Sequence, residues 1–152
     1  MKLTKFEKYL IETHHKLDEI GLVHWLIGST LLGSFREGRI IEGDKEVNFG
    51  IRAEDLMKKL NELKKYYKII YTSTIFRMSG IYLVDLNYAD DIWSHPIGFT
   101  WLPPYFRSLD KMYQSPTGNS LFYWDVGDIY PLQNHKFLGE TFLIPHKPHK
   151  YM

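Results

Sequence analysis

The chain has 152 residues, which suits one domain over residues 1–152, and its 44% hydrophobic content supports a core without disulfides or a structural metal. It has no cysteine, which excludes disulfide frameworks, zinc–thiolate and iron–sulfur sites, and cysteine nucleophiles. A net charge of +1 argues against a nucleic-acid binder, while the lack of a long apolar run or a signal-peptide core predicts no membrane span and a cytoplasmic location.

The first predicted element is an amphipathic helix. Thr4 and Glu7 have the spacing of a capping box, and apolar residues recur at helical period from Phe6 to Ile20. Gly21 stands where a C-terminal cap glycine is expected. The helix therefore spans most of the first twenty residues.

The next stretch predicts a strand, a glycine break and a short helix. The apolar run over residues 22–27 is too short for a helix and indicates a buried strand. A short helix is expected over 31–36, behind the break at 28–30. Residues 44–51 then alternate between polar and apolar side chains, which is typical of a strand with one buried face.

Downstream, residues 54–68 predict a second amphipathic helix with acidic residues at its start and lysines at its end. Residues 68–76 and 80–86 predict two strands joined as a hairpin. Beyond residue 87 prolines make the chain loop-rich, with short strands expected near 121–124 and 141–144. No repeat or linker divides the chain.

The strand-to-helix break carries the first candidate site. Glycine at such a break lets the backbone approach a phosphate, and a helix N-terminus offers free N–H groups to it. Gly28, Ser29 and Thr30 are the candidate phosphate-binding residues, and Arg36 could neutralise phosphate charge. The alternatives are an ordinary turn with a serine cap and an Arg36 that pairs with a neighbouring carboxylate.

Acidic residues on the following strands carry the second candidate site. Alternation places Asp44, Glu46 and Asn48 on one face of their strand, and Asp85 interrupts a later apolar strand, where an unpaired carboxylate is costly to bury. Such oxygen ligands suit Mg²⁺ or Mn²⁺, which bridge phosphate oxygens in phosphoryl transfer. The alternative is the solvent face of an edge strand, with Asp85 held by a structural hydrogen bond.

These residues resemble a known family. Residues 28–36, GSTLLGSFR, followed by Gly38, Ile41 and the acidic strand, are similar to the LicD and fukutin-related phosphotransferases of the nucleotidyltransferase-fold superfamily. The resemblance extends from about residue 17 to the end of the chain. Its later elements occur in the family's order at Asp85, Asp128-Ile129-Tyr130-Pro131-Leu132, Phe137-Leu138-Gly139 and Ile144-Pro145.

The resemblance implies an α/β (α+β) fold of the nucleotidyltransferase type, with a small mixed sheet flanked by helices. It implies metal-dependent transfer of a phosphate-linked group, of phosphocholine or phospho-polyol type, from a CDP-activated donor to a glycan hydroxyl. Donor phosphates would lie on the 28–36 segment, and Asp44, Glu46, Asn48 and Asp85 would hold Mg²⁺ or Mn²⁺. One of the three carboxylates (Asp44, Glu46 or Asp85) would help to deprotonate the acceptor.

The chain departs from the family pattern at the acidic strand. Glu42-Gly43 replaces a Pro-Trp pair, and two of three alternating aspartates are Glu46 and Asn48. An amide keeps an oxygen ligand but loses the negative charge, which weakens divalent-metal binding. The chain also ends at Met152, where the resemblance predicts a further helix. The alternative function is therefore a catalytically impaired member that acts as a ligand-binding or protein-interaction module.

The remaining candidates have ordinary interpretations. His14 and His15 are expected on the helix surface, His24 in the core, and residues 146–149 in a mobile tail. The aromatic residues of the loop-rich part suit a platform for a sugar or nucleobase, although core packing explains most such residues. They are Trp93, Trp101, Tyr105 and Phe106.

Overall fold

The computed structural model describes residues 2–44, 46–71, 81–87, 96–102, 113–114, 121–122 and 126–152. Helices and strands mix along the chain, which confirms the predicted α+β class. The helices are α1 (Lys5–Glu19), α2 (Gly28–Arg36), α3 (Ala53–Leu63) and α4 (Val126–Ile129), followed by a 3-10 turn at Pro148–Tyr151. The strands are β1 (Trp25–Leu26), β2 (Glu46–Arg52), β3 (Lys68–Tyr71), β4 (Ile81–Asn87), β5 (Pro96–Leu102), β6 (Tyr113–Gln114), β7 (Leu121–Phe122), β8 (Gln133–Phe137) and β9 (Glu140–Ile144).

The main sheet has five strands in the order β1-β2-β4-β5-β3. Only β3 and β5 are parallel, so the sheet is mixed, as predicted. The predicted hairpin of 68–76 with 80–86 is wrong, because β5 lies between β3 and β4. Apolar alternation indicates a strand but does not identify its partner, and the proline and glycine in β5 concealed that strand.

Helix α1 begins and ends as its sequence predicts. The Thr4 hydroxyl accepts a hydrogen bond from the Glu7 N–H, and the Glu7 carboxylate accepts one from the Thr4 N–H, both at 3.0 Å. At the other end Gly21 has φ +80°, and the Leu22 N–H donates to the Leu17 carbonyl at 2.9 Å. This left-handed residue and its hydrogen bond complete the C-terminal cap.

Several predicted boundaries differ from the structure. Strand β1 has two residues rather than the six of 22–27, because it pairs with β2 only at Trp25 and Leu26. Helix α2 begins at residue 28 rather than 31, and α3 ends at Leu63, five residues before the predicted end. The lysine-rich end of the predicted helix instead forms a turn.

Helices α2 and α3 contact β2, and β1 contacts β9. The core lies between these elements and takes side chains from all of them. Its largest fully buried residues are Leu10, Leu17, Leu22, Trp25, Leu26, Ile27, Leu31, Phe49, Ile51, Tyr82 and Phe142. Within the described part of the chain, no helix has the length and apolar character needed to cross a membrane.

The C-terminal segment is packed rather than mobile, so the prediction of a mobile tail is wrong. The His146 N–H donates to the Ile129 carbonyl at 2.9 Å, and the Lys147 N–H donates to the Asp128 carbonyl at 2.8 Å. Tyr151 is buried. These hydrogen bonds join the segment before the 3-10 turn to α4, which the proline-rich sequence did not reveal.

Candidate functional site

Gly28 forms the turn between β1 and α2. Its φ of +65° lies in the left-handed region, which residues with a Cβ rarely adopt. A Cβ built here would come within 3.2 Å of the Asn48 Oδ1 atom. The position therefore requires glycine both for its backbone angle and for the close approach of Asn48.

Asn48 joins β2 to this turn through both its backbone and its side chain. Its N–H donates to the Thr30 hydroxyl at 2.9 Å, and its carbonyl accepts from the Ile27 N–H at 3.3 Å. Its Oδ1 atom accepts from the Ser29 hydroxyl at 3.1 Å. The structure thus brings the predicted phosphate-binding residues Gly28, Ser29 and Thr30 together with the predicted metal ligand Asn48. The hydroxyls of Ser29 and Thr30 are both hydrogen-bonded to Asn48.

The N-terminus of α2 has no side-chain cap. Its N-cap residue is Ile27, whose side chain carries no oxygen, and the first turn contains no acidic residue. The first N–H groups of a helix have no partner within the helix, and the helix dipole favours an anion there. This end of α2 is therefore chemically suited to a phosphate oxygen.

The acidic residues fall on two strands and a loop. Asp44 lies before β2, which begins at Glu46, so the predicted strand over residues 44–51 starts two residues too early. The Asp44 N–H instead donates to the Ile41 carbonyl at 3.0 Å in a turn. On β4, Asp85 is the register partner of Asn48. The side chains of Glu46 and Asp85 lie outside the described part of the structure.

Asp44 carries a buried oxygen atom. Its Oδ2 has no hydrogen-bond partner among the described residues. Beside it lies an open cavity of about 660 Å³, whose lining includes Glu7, Arg39 and Glu42. A buried carboxylate oxygen without a donor is costly unless a cation or a proton reaches it.

Some of the predicted metal ligands carry suitable donor atoms. The carboxylate of Asp44, before β2, and the amide oxygen of Asn48, on β2, are oxygen ligands of the kind that Mg²⁺ and Mn²⁺ prefer. The chemistry of these donors fits such an ion, and Glu46 and Asp85 are further candidate ligands by their strand positions.

Arg36 lies at the other end of α2 from Gly28. Eight residues separate the two, which corresponds to about 12 Å along a helix. The Arg36 guanidinium pairs with the Glu37 carboxylate at 3.2 Å, and both side chains are exposed. The structure does not bring Arg36 to the glycine turn.

The sequence interpretation missed the contact that anchors the cavity wall. The Arg39 guanidinium donates to both oxygens of Glu7, and to the Lys2 carbonyl at 2.9 Å. Burial alone would raise the pKa of Glu7, but the hydrogen bonds from Arg39 and from the Thr4 N–H outweigh it and lower that pKa. Glu7 has a capping-box role in sequence, but nothing local indicates a partner 32 residues away.

The predicted aromatic platform falls largely outside the described residues. Trp93, Tyr105 and Phe106 are not described, and Trp101 is described only as a backbone position in β5.

Comparison with known proteins gives one match. A family model described as LicD/FKTN/FKRP, nucleotidyltransferase domain, matches residues 21–147, which include the glycine turn, the acidic strand and the β8–β9 hairpin. No curated protein and no solved structure matches the chain. The chain therefore belongs to the LicD/FKTN/FKRP nucleotidyltransferase-domain family, which implies a phosphotransferase-type role on glycans.

Proposed function

We propose that this protein transfers a phosphate-linked group, of phosphocholine or phospho-polyol type, from a CDP-activated donor to a glycan hydroxyl. The observation that carries the proposal is the junction of Gly28, Ser29 and Asn48. There an uncapped helix N-terminus lies against the strand that bears the candidate ligands. This junction supports the proposal because phosphoryl-transfer chemistry needs a phosphate site beside a metal site.

In this proposal the donor phosphates lie at the N-terminus of α2. The backbone N–H groups that begin the helix donate to phosphate oxygens, and Gly28 lets the phosphate approach the backbone. Ser29 and Thr30 hold the turn against Asn48, and Ser29 could exchange its bond to Asn48 for one to the donor. Arg36 would bind donor phosphate only after leaving Glu37, so we assign it a secondary role.

Asp44, Glu46, Asn48 and Asp85 would hold the divalent cation. When bound, such an ion neutralises charge that develops on the phosphate oxygens. We place the acceptor hydroxyl in the cavity beside Asp44, where the buried Oδ2 atom lacks a donor and could accept the hydroxyl proton. Of the three candidate carboxylates, Asp44 is the first to test as the base, because its buried Oδ2 atom has no hydrogen-bond partner among the described residues.

Calorimetry of cytidine diphosphate binding, with and without Mn²⁺, tests the proposal. We expect wild-type binding that requires Mn²⁺, and at least a tenfold loss of affinity in Asp85→Ala, because removing a metal ligand weakens the bridged phosphate. Glu62→Gln is the matched control, since it removes an exposed carboxylate on α3 and should bind as the wild type does. The transferase proposal would be rejected if the wild type bound cytidine diphosphate equally well without Mn²⁺. It would also be rejected if the wild type did not bind cytidine diphosphate at all.

The amide at Asn48 favours the alternative of a catalytically impaired ligand-binding or interaction module. Asn48→Asp restores a carboxylate next to Ser29 and tests this alternative. Tighter Mn²⁺ binding together with turnover that the wild type lacks would identify a site that has lost activity. If both proteins turn over a CDP-activated donor, the alternative is excluded.

A further inference from the structure

Two buried imidazoles form a pair between α1 and the segment that leads to β1. His14, which the sequence places on the helix surface, and His24 are both buried. The Nδ1 atom of His14 lies 2.7 Å from the Nε2 atom of His24. The outer nitrogens face backbone carbonyls: His14 Nε2 is 3.0 Å from the Thr141 oxygen, and His24 Nδ1 is 2.9 Å from the Leu22 oxygen.

The hydrogens in this chain of contacts can be counted. A carbonyl only accepts, so each outer nitrogen must carry a hydrogen to make its bond. Two neutral rings carry one hydrogen each, so the pair can fill the inner contact and one of the outer contacts. When both rings are protonated, both inner nitrogens carry hydrogens, and two N–H groups would then face each other at 2.7 Å. The unfolded chain, by contrast, protonates both rings fully in acid.

The surroundings add few compensating charges. Asp18 is the nearest carboxylate, 3.7 Å from His14 Nε2 and 3.9 Å from His24 Nδ1, but it is largely exposed. His15 on α1 and Glu140 on β9 also face the pair. The His15 Nε2 atom lies 3.0 Å from the Glu140 Oε1 atom. The remaining contacts are apolar, with Phe142 stacked on His14 at 4.0 Å and Phe49 against His24 at 5.1 Å.

Burial lowers the pKa of both imidazoles, to about 4 for His24. Asp18 opposes this shift only in part. A depressed pKa in the folded state means that stability is complete above the unfolded value of about 6.5 and declines as the pH falls towards 4. Geometry and electrostatics therefore give the same direction.

The same residues could be taken for a metal site, since His14, Asp18 and His24 offer ligand atoms within 4.8 Å of one another. Two nitrogens on one zinc ion are about 3.3 Å apart, given tetrahedral angles and Zn–N bonds of about 2.0–2.1 Å. The two inner nitrogens, His14 Nδ1 and His24 Nε2, are only 2.7 Å apart, which is too close for two ligands of one zinc ion. Asp18 lies beside the outer nitrogens, His14 Nε2 and His24 Nδ1, and not beside the inner ones. The arrangement suits a hydrogen bond better than a shared ion.

We propose that the His14–His24 pair is an acid-sensitive latch that holds the β8–β9 hairpin against α1 and against the segment leading to β1 and Gly28. His14 reaches β9 through the Thr141 carbonyl, and His24 is four residues before Gly28. Full protonation of both rings breaks the inner contact and separates the hairpin from the strand that ends at the candidate site. The latch does not depend on the proposed transferase activity.

Urea unfolding of the full chain between pH 7.5 and pH 5, with EDTA present, tests the latch. Because both rings are neutral in the fold and protonated in the unfolded chain, unfolding takes up as many as two protons, which changes the unfolding constant by up to about a hundredfold per pH unit below pH 6.5. His14→Gln keeps an amide donor for Thr141 but cannot titrate, so its pH dependence should be clearly smaller than that of the wild type. His15→Gln removes the adjacent exposed histidine and should leave the wild-type dependence unchanged.

Hydrogen exchange on the wild type alone provides a second test that needs no variant to fold. At pH 5, after correction for intrinsic rates, amides of β8 and β9 should lose about tenfold more protection than those of α3. If the amides of the hairpin and of α3 lost protection equally, the proposal that acid releases the hairpin would be wrong. A pH dependence of unfolding that is the same in wild type and His14→Gln would overturn the role of the pair.

Discussion

The indole of Trp25 lies on the backbone of Gly50, its register partner across β1 and β2. A Cβ built on Gly50 would be 2.3 Å from the indole Nε1 atom and 2.4 Å from Cε2. Trp25 is 1% exposed, so the ring has no solvent into which it can move. Gly50 is therefore required for space and not for its backbone angle.

Gly50→Ala should lower the free energy of unfolding by about 1–3 kcal/mol, because the added methyl forces the indole or the strand to shift. Urea denaturation followed by circular dichroism measures this loss. In a Trp25→Leu background the same substitution should cost much less, since the clashing ring is gone. Equal costs in both backgrounds would show that the indole is not the cause.

Gly28→Ala and Gly38→Ala separate backbone strain from site geometry. Both glycines have similar positive φ values, +65° and +68°, so each alanine should cost about 1–2 kcal/mol of stability. Only the methyl at residue 28 meets another group, the Asn48 Oδ1 atom at 3.2 Å, whereas residue 38 faces open space. We expect calorimetry to show cytidine diphosphate binding lost in Gly28→Ala and kept in Gly38→Ala.

Features decided by neighbours in sequence were predictable. The capping box of Thr4 and Glu7, the Gly21 cap and the glycine turn at residue 28 each depend on a few adjacent residues, and the structure contains all three. The family resemblance followed from the same local motif around residue 28, and the family comparison confirms it.

Features decided by distant parts of the chain were not predictable. Strand β4 pairs with β2 and β5. Packing across the sheet decides these partners, which the alternation of polar and apolar residues within β4 does not identify. His14 is buried because β9, 127 residues later, covers that face of α1. Asp44 lies outside the strand, where its N–H donates to the Ile41 carbonyl in a turn that precedes β2.

Thr30→Val should destabilise the fold more than Ser29→Ala does. The Thr30 hydroxyl is fully buried and accepts from the Asn48 N–H, so an isosteric valine removes that acceptor at a cost of about 1–3 kcal/mol. Ser29 is partly exposed, and water can replace its bond to the Asn48 side chain, so its loss should cost under about 1 kcal/mol. Chemical denaturation of both variants at pH 7 makes the comparison, and a larger loss in Ser29→Ala would contradict it.

Asp128 joins the C-terminal segment to α4 through two lysines. Its side chain is fully buried, with Lys147 at 3.2 Å and Lys150 at 3.1 Å. Burial opposes ionisation, but these lysines outweigh it and hold the pKa of Asp128 below its usual value of 3.8. A lowered folded-state pKa stabilises the protein above the unfolded value, and this contribution is lost as the pH falls through the folded value.

Asp128→Asn should therefore lose about 1–3 kcal/mol of unfolding free energy at pH 7, because it breaks a buried ion pair. The difference from the wild type should persist at pH 5 and shrink only below about pH 4, where the wild-type carboxylate also becomes neutral. Urea denaturation at pH 7, 5 and 3 measures it. The contribution of Asp128 to stability changes below about pH 4, whereas that of His14 and His24 changes between about pH 6.5 and 4, so the pH range separates the two. A difference that already vanished at pH 5 would show that the two lysines do not hold Asp128 in its charged form.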